Sequence, residues 1–87
     1  MNTFLLNISS PEGKLFSGDA GCITLRGAEG DLAVMAGHVP FITSVQPCDV
    51  HVTLPDGSVR VGRAESGLLT VSHNEVTLLG DFTWKEA

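Results

Sequence analysis

The strongest constraint on this chain is a two-residue hydrophobic period that recurs in short pieces from end to end. Phe4, Leu6 and Ile8 alternate with Leu5 and Asn7, and Ile23 and Leu25 with Cys22, Thr24 and Arg26. Val50, Val52 and Leu54 alternate with His51 and Thr53, and Val59 and Val61 with Ser58, Arg60 and Gly62. Leu69 and Val71 oppose Thr70 and Ser72, and Val76 and Leu78 oppose Glu75 and Thr77. Successive side chains of a strand point to opposite faces, so each run reads as a half-buried strand. No segment places apolar residues at i, i+3, i+4 and i+7 over a helical length. The breaks between runs carry turn chemistry. Pro55-Asp56-Gly57 reads as a hairpin, because proline presets φ and glycine accepts the left-handed conformation. Ser72-His73-Asn74 does the same more weakly, and Ser10-Pro11-Glu12-Gly13 and Ser17-Gly18-Asp19 punctuate the first third. Arg63 to Gly67 reads as a strand reaching a bulge or tight bend. Short strands with turns at this spacing make an all-β sandwich or small barrel.

With 87 residues the chain makes one domain. The alternation places it at 1–81, with 82–87 a short tail. A domain this small buries roughly 60–65% of its unfolded surface. Its residues are 43% apolar and 17% charged, with a mean hydropathy of +0.21. Some apolar side chains must then stay exposed in the isolated chain, which points to a subunit whose partner covers them.

The net charge of -5 comes from ten acids against five scattered bases. Nucleic-acid binding and adsorption to anionic lipid both need concentrated positive charge, so neither is expected. Met1-Asn2-Thr3 lacks the basic start of a signal peptide, and no stretch approaches the ~18 apolar residues of a membrane-spanning helix. Cys22 and Cys48 have no CxxC spacing, and reduced thiols are the expectation.

The run Gly27–Thr43 packs glycines, acids, a histidine and a proline around two short apolar pieces. Such punctuation shapes loops, and shaped loops usually meet something. Chemistry is hard to assemble there. His38 sits in a turn, and neither His51 nor His73 forms an HxH or HExxH pattern with it, so a metal set is missing. Glu29 and Asp31 flank Gly30 as a carboxylate pair, but the aromatic platforms of a sugar cleft are absent: the chain has no tyrosine and one tryptophan. Gly27-x-x-Gly30 is followed by strand-like residues rather than the Lys-Ser/Thr of a phosphate loop. Ser66-Gly67 lacks the GxSxG frame, and Cys48 sits beside Asp49, a neighbour that does not make a nucleophile of a thiol. No catalytic residue, metal ligand or cofactor site is therefore expected.

Several segments resemble the epsilon subunit of bacterial F-type ATP synthases. Pro11–Gly18 resembles that family's opening turn and strand, and Gly27–Val34 its Gly-x-Glu-Gly-Glu/Asp segment. Gly37-His38-Val39-Pro40 with Thr43 resembles its Gly-His-Ala-Pro-Leu-Leu-Thr, and Ser66–Leu69 with Val76–Asp81 its closing strands. The resemblance implies a flattened sandwich of about ten short, mostly antiparallel strands. It implies a non-catalytic rotor subunit that joins the gamma subunit to the c ring of a proton- or sodium-translocating synthase, at the cytoplasmic face of the bacterial inner membrane. The implied partner-facing residues are Glu29, Asp31, His38, Val39, Phe41, Ile42 and Thr43. The helical hairpin that usually follows the sandwich is absent from the sequence. Ala36 stands where proline is usual, Ala33 and Ser66 where glycine is usual, and Cys48 follows Pro47 in place of a glycine. A left-handed backbone at 48 or 66 would be strained with these side chains. Two alternatives are a cupin-like metal protein built on His38 with His51 or Glu29, and an unrelated adaptor sandwich.

Overall fold

A computed structural model describes residues 2–85. It contains eight strands: β1 (Phe4–Ser10), β2 (Gly13–Ala20), β3 (Cys22–Gly27), β4 (Gly30–Met35), β5 (Phe41–Val45), β6 (Cys48–Thr53), β7 (Val59–Ser72) and β8 (Glu75–Trp84). All neighbouring pairs are antiparallel except β1 and β8, which run parallel. The strand order is β2-β1-β8-β7-β5-β3-β4, with β6 bonded to both β3 and β7.

The two long strands organise the sandwich. Along one edge of β7, residues 59–64 pair with β6 and residues 67–71 with β5, while β8 follows the other edge. One layer is therefore β2-β1-β8-β7-β5, and the other is β4-β3-β6 continued by the first half of β7. Because β7 and β8 serve both layers, eight strands do the work of the about ten that the resemblance implies. The molecule is flattened, with extents of 30 × 29 × 22 Å. Its core is the aliphatic set the alternation picks out, with Leu6, Ile8, Ile23, Val34, Val50, Val52 and Leu69 fully buried between the layers.

The turns follow their residues. Pro55-Asp56-Gly57 closes β6 onto β7: Gly57 N donates to Leu54 O at 2.9 Å, and Gly57 has φ of 90°. Asp56 Oδ1 accepts from both the Ser58 hydroxyl (2.6 Å) and the Ser58 amide (2.9 Å). Those bonds, the hydroxyl first, hold its carboxyl below the ordinary range. His73-Asn74 joins β7 to β8, with Asn74 at φ 61°. Asparagine tolerates that region better than most residues.

Three sequence expectations need correction. Ser17-Gly18-Asp19 lies inside β2 and does not break it, paired with Asn7, Leu6 and Leu5 of β1. The chain instead turns at Gly21, between β2 and β3. The strand closing the sandwich does not stop at Asp81: β8 continues through Trp84 and Phe82 is buried, so 82–84 belong to the domain. The last two residues of the expected tail lie outside the described residues. Finally, Val59 and Val61 face outward while Gly62 and Ala64 face the core. The expected bulge explains this, because the β7–β8 register shifts between Ala64 and Ser66 and reverses the phase of the strand. Gly62 stands opposite Trp84 and Ala64 opposite Phe82, so small residues sit where large rings from β8 fill the space. Asn74 is the one non-glycine residue with positive φ among the described residues, so the feared strain at Cys48 and Ser66 does not arise.

Candidate partner-binding site

The Gly27–Thr43 run folds as a hairpin followed by a turn onto β5. Gly27 and Gly30 pair across a two-residue loop, Ala28-Glu29, and Gly30 has φ of 120°. Glu29 is thereby held at the exposed tip. Asp31 follows Gly30 on the outward face of β4, where its carboxylate accepts from Arg26 Nε at 2.9 Å. That bond, ahead of the charge attraction between the two, raises the Arg26 pKa. The pair is open to water and contributes little to stability.

After β4 the chain turns through Ala36-Gly37, with His38 N donating to Met35 O at 3.2 Å. Gly37, at φ 83°, supplies the left-handed position, so the turn forms with Ala36 in place of the family's proline. The His38 ring leans on Phe41, centroids 5.0 Å apart, and its Nδ1 lies 2.9 Å from Val39 O. Val39 is left 74% exposed. On β5, Phe41 and Thr43 point inward and Ile42 points out, 67% exposed. Thr43 Oγ1 accepts from Ala28 N at 3.0 Å and donates to Ser44 O at 3.1 Å, tying β5 to the hairpin.

Glu29, Phe41, Ile42 and Thr43 therefore converge, with Leu32, on one open hollow of about 420 Å³ between the β3–β4 tip and β5. Asp31 does not join them. It borders a second hollow, of about 480 Å³, with Thr24, Ala33, Asp49 and His51 on the outer face of β3-β4-β6. His38 and Val39 sit on the connecting turn.

Sequence reasoning passed over a further surface. On the outer face of β5-β7-β8, Leu68 (45% exposed) pairs across to Leu79 (51% exposed), and Ile42, opposite Thr70, lies diagonally from Leu68 on the neighbouring strand. The signal was present as the doublets Leu68-Leu69 and Leu78-Leu79. A strand that buries one leucine of a doublet must show the other to solvent.

Among the described residues no three His, Cys, Asp or Glu side chains converge as a metal set, and no helix is long and apolar enough to cross a membrane. His38 leans on β5 while His51 lines the outer hollow of the other layer. Cys22 and Cys48 are both free thiols. Burial pushes the Cys22 thiol up, and Cys48 Sγ accepts from Arg26 N at 3.3 Å.

The chain is a β-sandwich with exposed aliphatic side chains and open hollows bordered by acids. The particular family is decided by comparison with known proteins. The model of the ATP synthase Delta/Epsilon chain beta-sandwich domain matches residues 3–84, and the chain belongs to that family. Its fold is close to a chain of the mitochondrial ATP synthase of Euglena gracilis, solved as an OSCP/F1/c-ring assembly. That match has a TM-score of 0.88 at 20% identity, over 94% of this chain and 53% of that one. A chain from the central stalk and c-ring of the Tetrahymena thermophila mitochondrial enzyme matches with a TM-score of 0.75 at 14% identity, over 91% and 64% respectively. The chain thus spans between half and two thirds of these structural relatives.

Proposed function

We propose that this chain is a non-catalytic central-stalk subunit of an F-type ATP synthase, joining the gamma subunit to the c ring and carrying rotation between them. The observation that carries the reading is the exposed aliphatic strip of Ile42, Leu68 and Leu79 in a domain that belongs to the delta/epsilon family. Water-exposed leucines lined up across paired strands gain about 25 cal/mol per Å² when covered, before the costs of association. The strip is the natural seat for gamma. The Glu29 tip, Asp31 and the His38-Val39 turn then face the loops of the c ring, where exposed charges set register more than affinity. A sandwich whose two layers share continuous strands is stiff, which suits an element that passes torque. Its place is at the membrane surface, on the cytoplasmic side in a bacterium, without inserting.

The test of the ring-facing half uses Asp31→Arg and His38→Glu in the assembled enzyme. Both variants should keep the fold and lower ATP-driven ion pumping relative to ATP hydrolysis. Wild-type coupling in both would remove those loops from the interface.

A further inference from the structure

We propose that the free edge of β4 is a strand-addition site, which takes an extended segment of a partner with basic and apolar residues in alternation. The inference deepens the reading of the Glu29–Asp31 hairpin as partner-facing and rests on it. Among the described residues β4 is the last strand of its layer and pairs only with β3. Arg26 N donates to Cys48 Sγ and Arg26 O accepts from Gln46 N, so Arg26 and Asp31 face each other as a non-hydrogen-bonded pair; residues 30, 32 and 34 then bond to β3, and the N–H and C=O groups of Asp31, Ala33 and Met35 point away from it. Met35 O is taken by His38 N. Asp31 and Ala33 are left with a donor and an acceptor each on an open edge.

Edges of this kind are usually blunted by lysine, proline or a bulge. The opposite edge is: β2 carries Lys14, and a register shift interrupts its pairing with β1 beside that residue. β4, with the sequence GDLAVM, has none of these. Its one charge, Asp31, is already bonded by Arg26, so the preference for a cationic strand comes from Glu29 at the exposed tip beside it and from the net charge of -5, which also opposes pairing with a second copy. The surroundings fit both faces of such a strand. Its inward side chains would meet Leu32 and Phe41 at the hollow of about 420 Å³. Its outward side chains would lie by Asp31 over Ala33, at the hollow of about 480 Å³. Main-chain bonds give affinity in this mode, and the alternate side chains give specificity.

The test titrates the isotopically labelled full chain with an acetylated, amidated peptide of alternating lysine and valine. Two control peptides are used: the same one N-methylated on alternate residues, and its glutamate–valine counterpart. The expected result is hydrogen-bond shifts and slowed exchange at the Asp31 and Ala33 amides with the lysine peptide only. Ala33→Pro removes one outward donor and leaves the β3 ladder intact, so it should weaken binding about tenfold. If that variant fails to fold, Asp31→Lys serves, and should shift preference to the acidic peptide. Failure of the lysine peptide to move those amides, or equal binding by its N-methylated twin, overturns the proposal. Co-elution with gamma is a separate readout, and its loss would strike the rotor reading instead.

Discussion

Gly62→Ala should destabilise this domain more than any change to the valines beside it. A Cβ built on Gly62 would lie 2.7 Å from Phe82 Cε2 and 2.9 Å from Cε1, with Cζ closer still. Phe82 is buried and cannot swing aside freely, because Trp84 packs edge-on against it at 5.0 Å and Arg60 lies 3.9 Å above the Trp84 ring. Overpacking of a closed site costs typically 1–3 kcal/mol, and this one belongs in the upper part, at about 2–3 kcal/mol. At about 4–8 °C per kcal/mol for a domain of this size, the melting temperature should fall by roughly 10–20 °C. Phe82→Leu alone should cost about 1–2 kcal/mol, less than the ~3–5 kcal/mol of truncation to alanine. Combined with Gly62→Ala it should cost less than the sum by at least ~1 kcal/mol, since the smaller side chain makes room for the methyl. Urea unfolding followed by the fluorescence of Trp84, the single tryptophan, measures all three. Val59→Thr is the control and should stay within about 0.5 kcal/mol of wild type. A neutral Gly62→Ala, or strict additivity with Phe82→Leu, would refute the packing reasoning. A costly Val59→Thr would restore the face assignment that simple alternation suggests.

Other expectations concern the hairpin, the closed end and pH. Thr43→Val removes the acceptor for Ala28 N and should cost about 1 kcal/mol, with faster hydrogen exchange at Ala28 as its local signature. Arg60→Ala should blue- or red-shift Trp84 emission and cost roughly 0.5–2 kcal/mol, whereas Arg60→Lys should recover part of the stability. Asp49, bonded first by Lys85 and also by Arg63, and Asp56, bonded by Ser58, both have depressed folded pKa values. Their stabilisation is complete above the ordinary carboxylate pKa and is lost as pH falls through the depressed folded values. Acid titration of the unfolding midpoint should therefore be shallower in Asp56→Asn than in wild type; an unchanged acid limb would contradict the assignment.

Much of the fold was legible because a half-buried strand writes its period directly into the residues. Phe4-Leu6-Ile8 and Val50-Val52 turned inward as their spacing indicates, and Pro55-Asp56-Gly57 turned where its chemistry requires. The same local rule failed where the decisive contact was distant. Arg63 to Gly67 signals a bulge, but nothing near Val59 or Val61 says which face it leaves them on, or that Phe82, twenty residues on in the sequence, claims the space above Gly62. The site shows the same division. Glu29 and Thr43 could be named from their loops, but their meeting depends on a hydrogen bond between β5 and the β3–β4 tip. Asp31 was grouped with Glu29 by adjacency, although strand alternation sends it to the other side of β4. The strip of Ile42, Leu68 and Leu79 becomes a surface only when β5, β7 and β8 are laid side by side.

The most direct measurement is size-exclusion chromatography of the purified chain with the gamma subunit of its own organism at micromolar concentration, alongside an Ile42→Asp/Leu68→Asp variant. A central-stalk subunit that docks through its aliphatic strip should co-elute with gamma as a stable complex, and the double variant should elute alone while melting at the wild-type temperature. Separate elution of the wild-type chain would contradict the rotor reading, and co-elution of the folded double variant would contradict the strip as its seat.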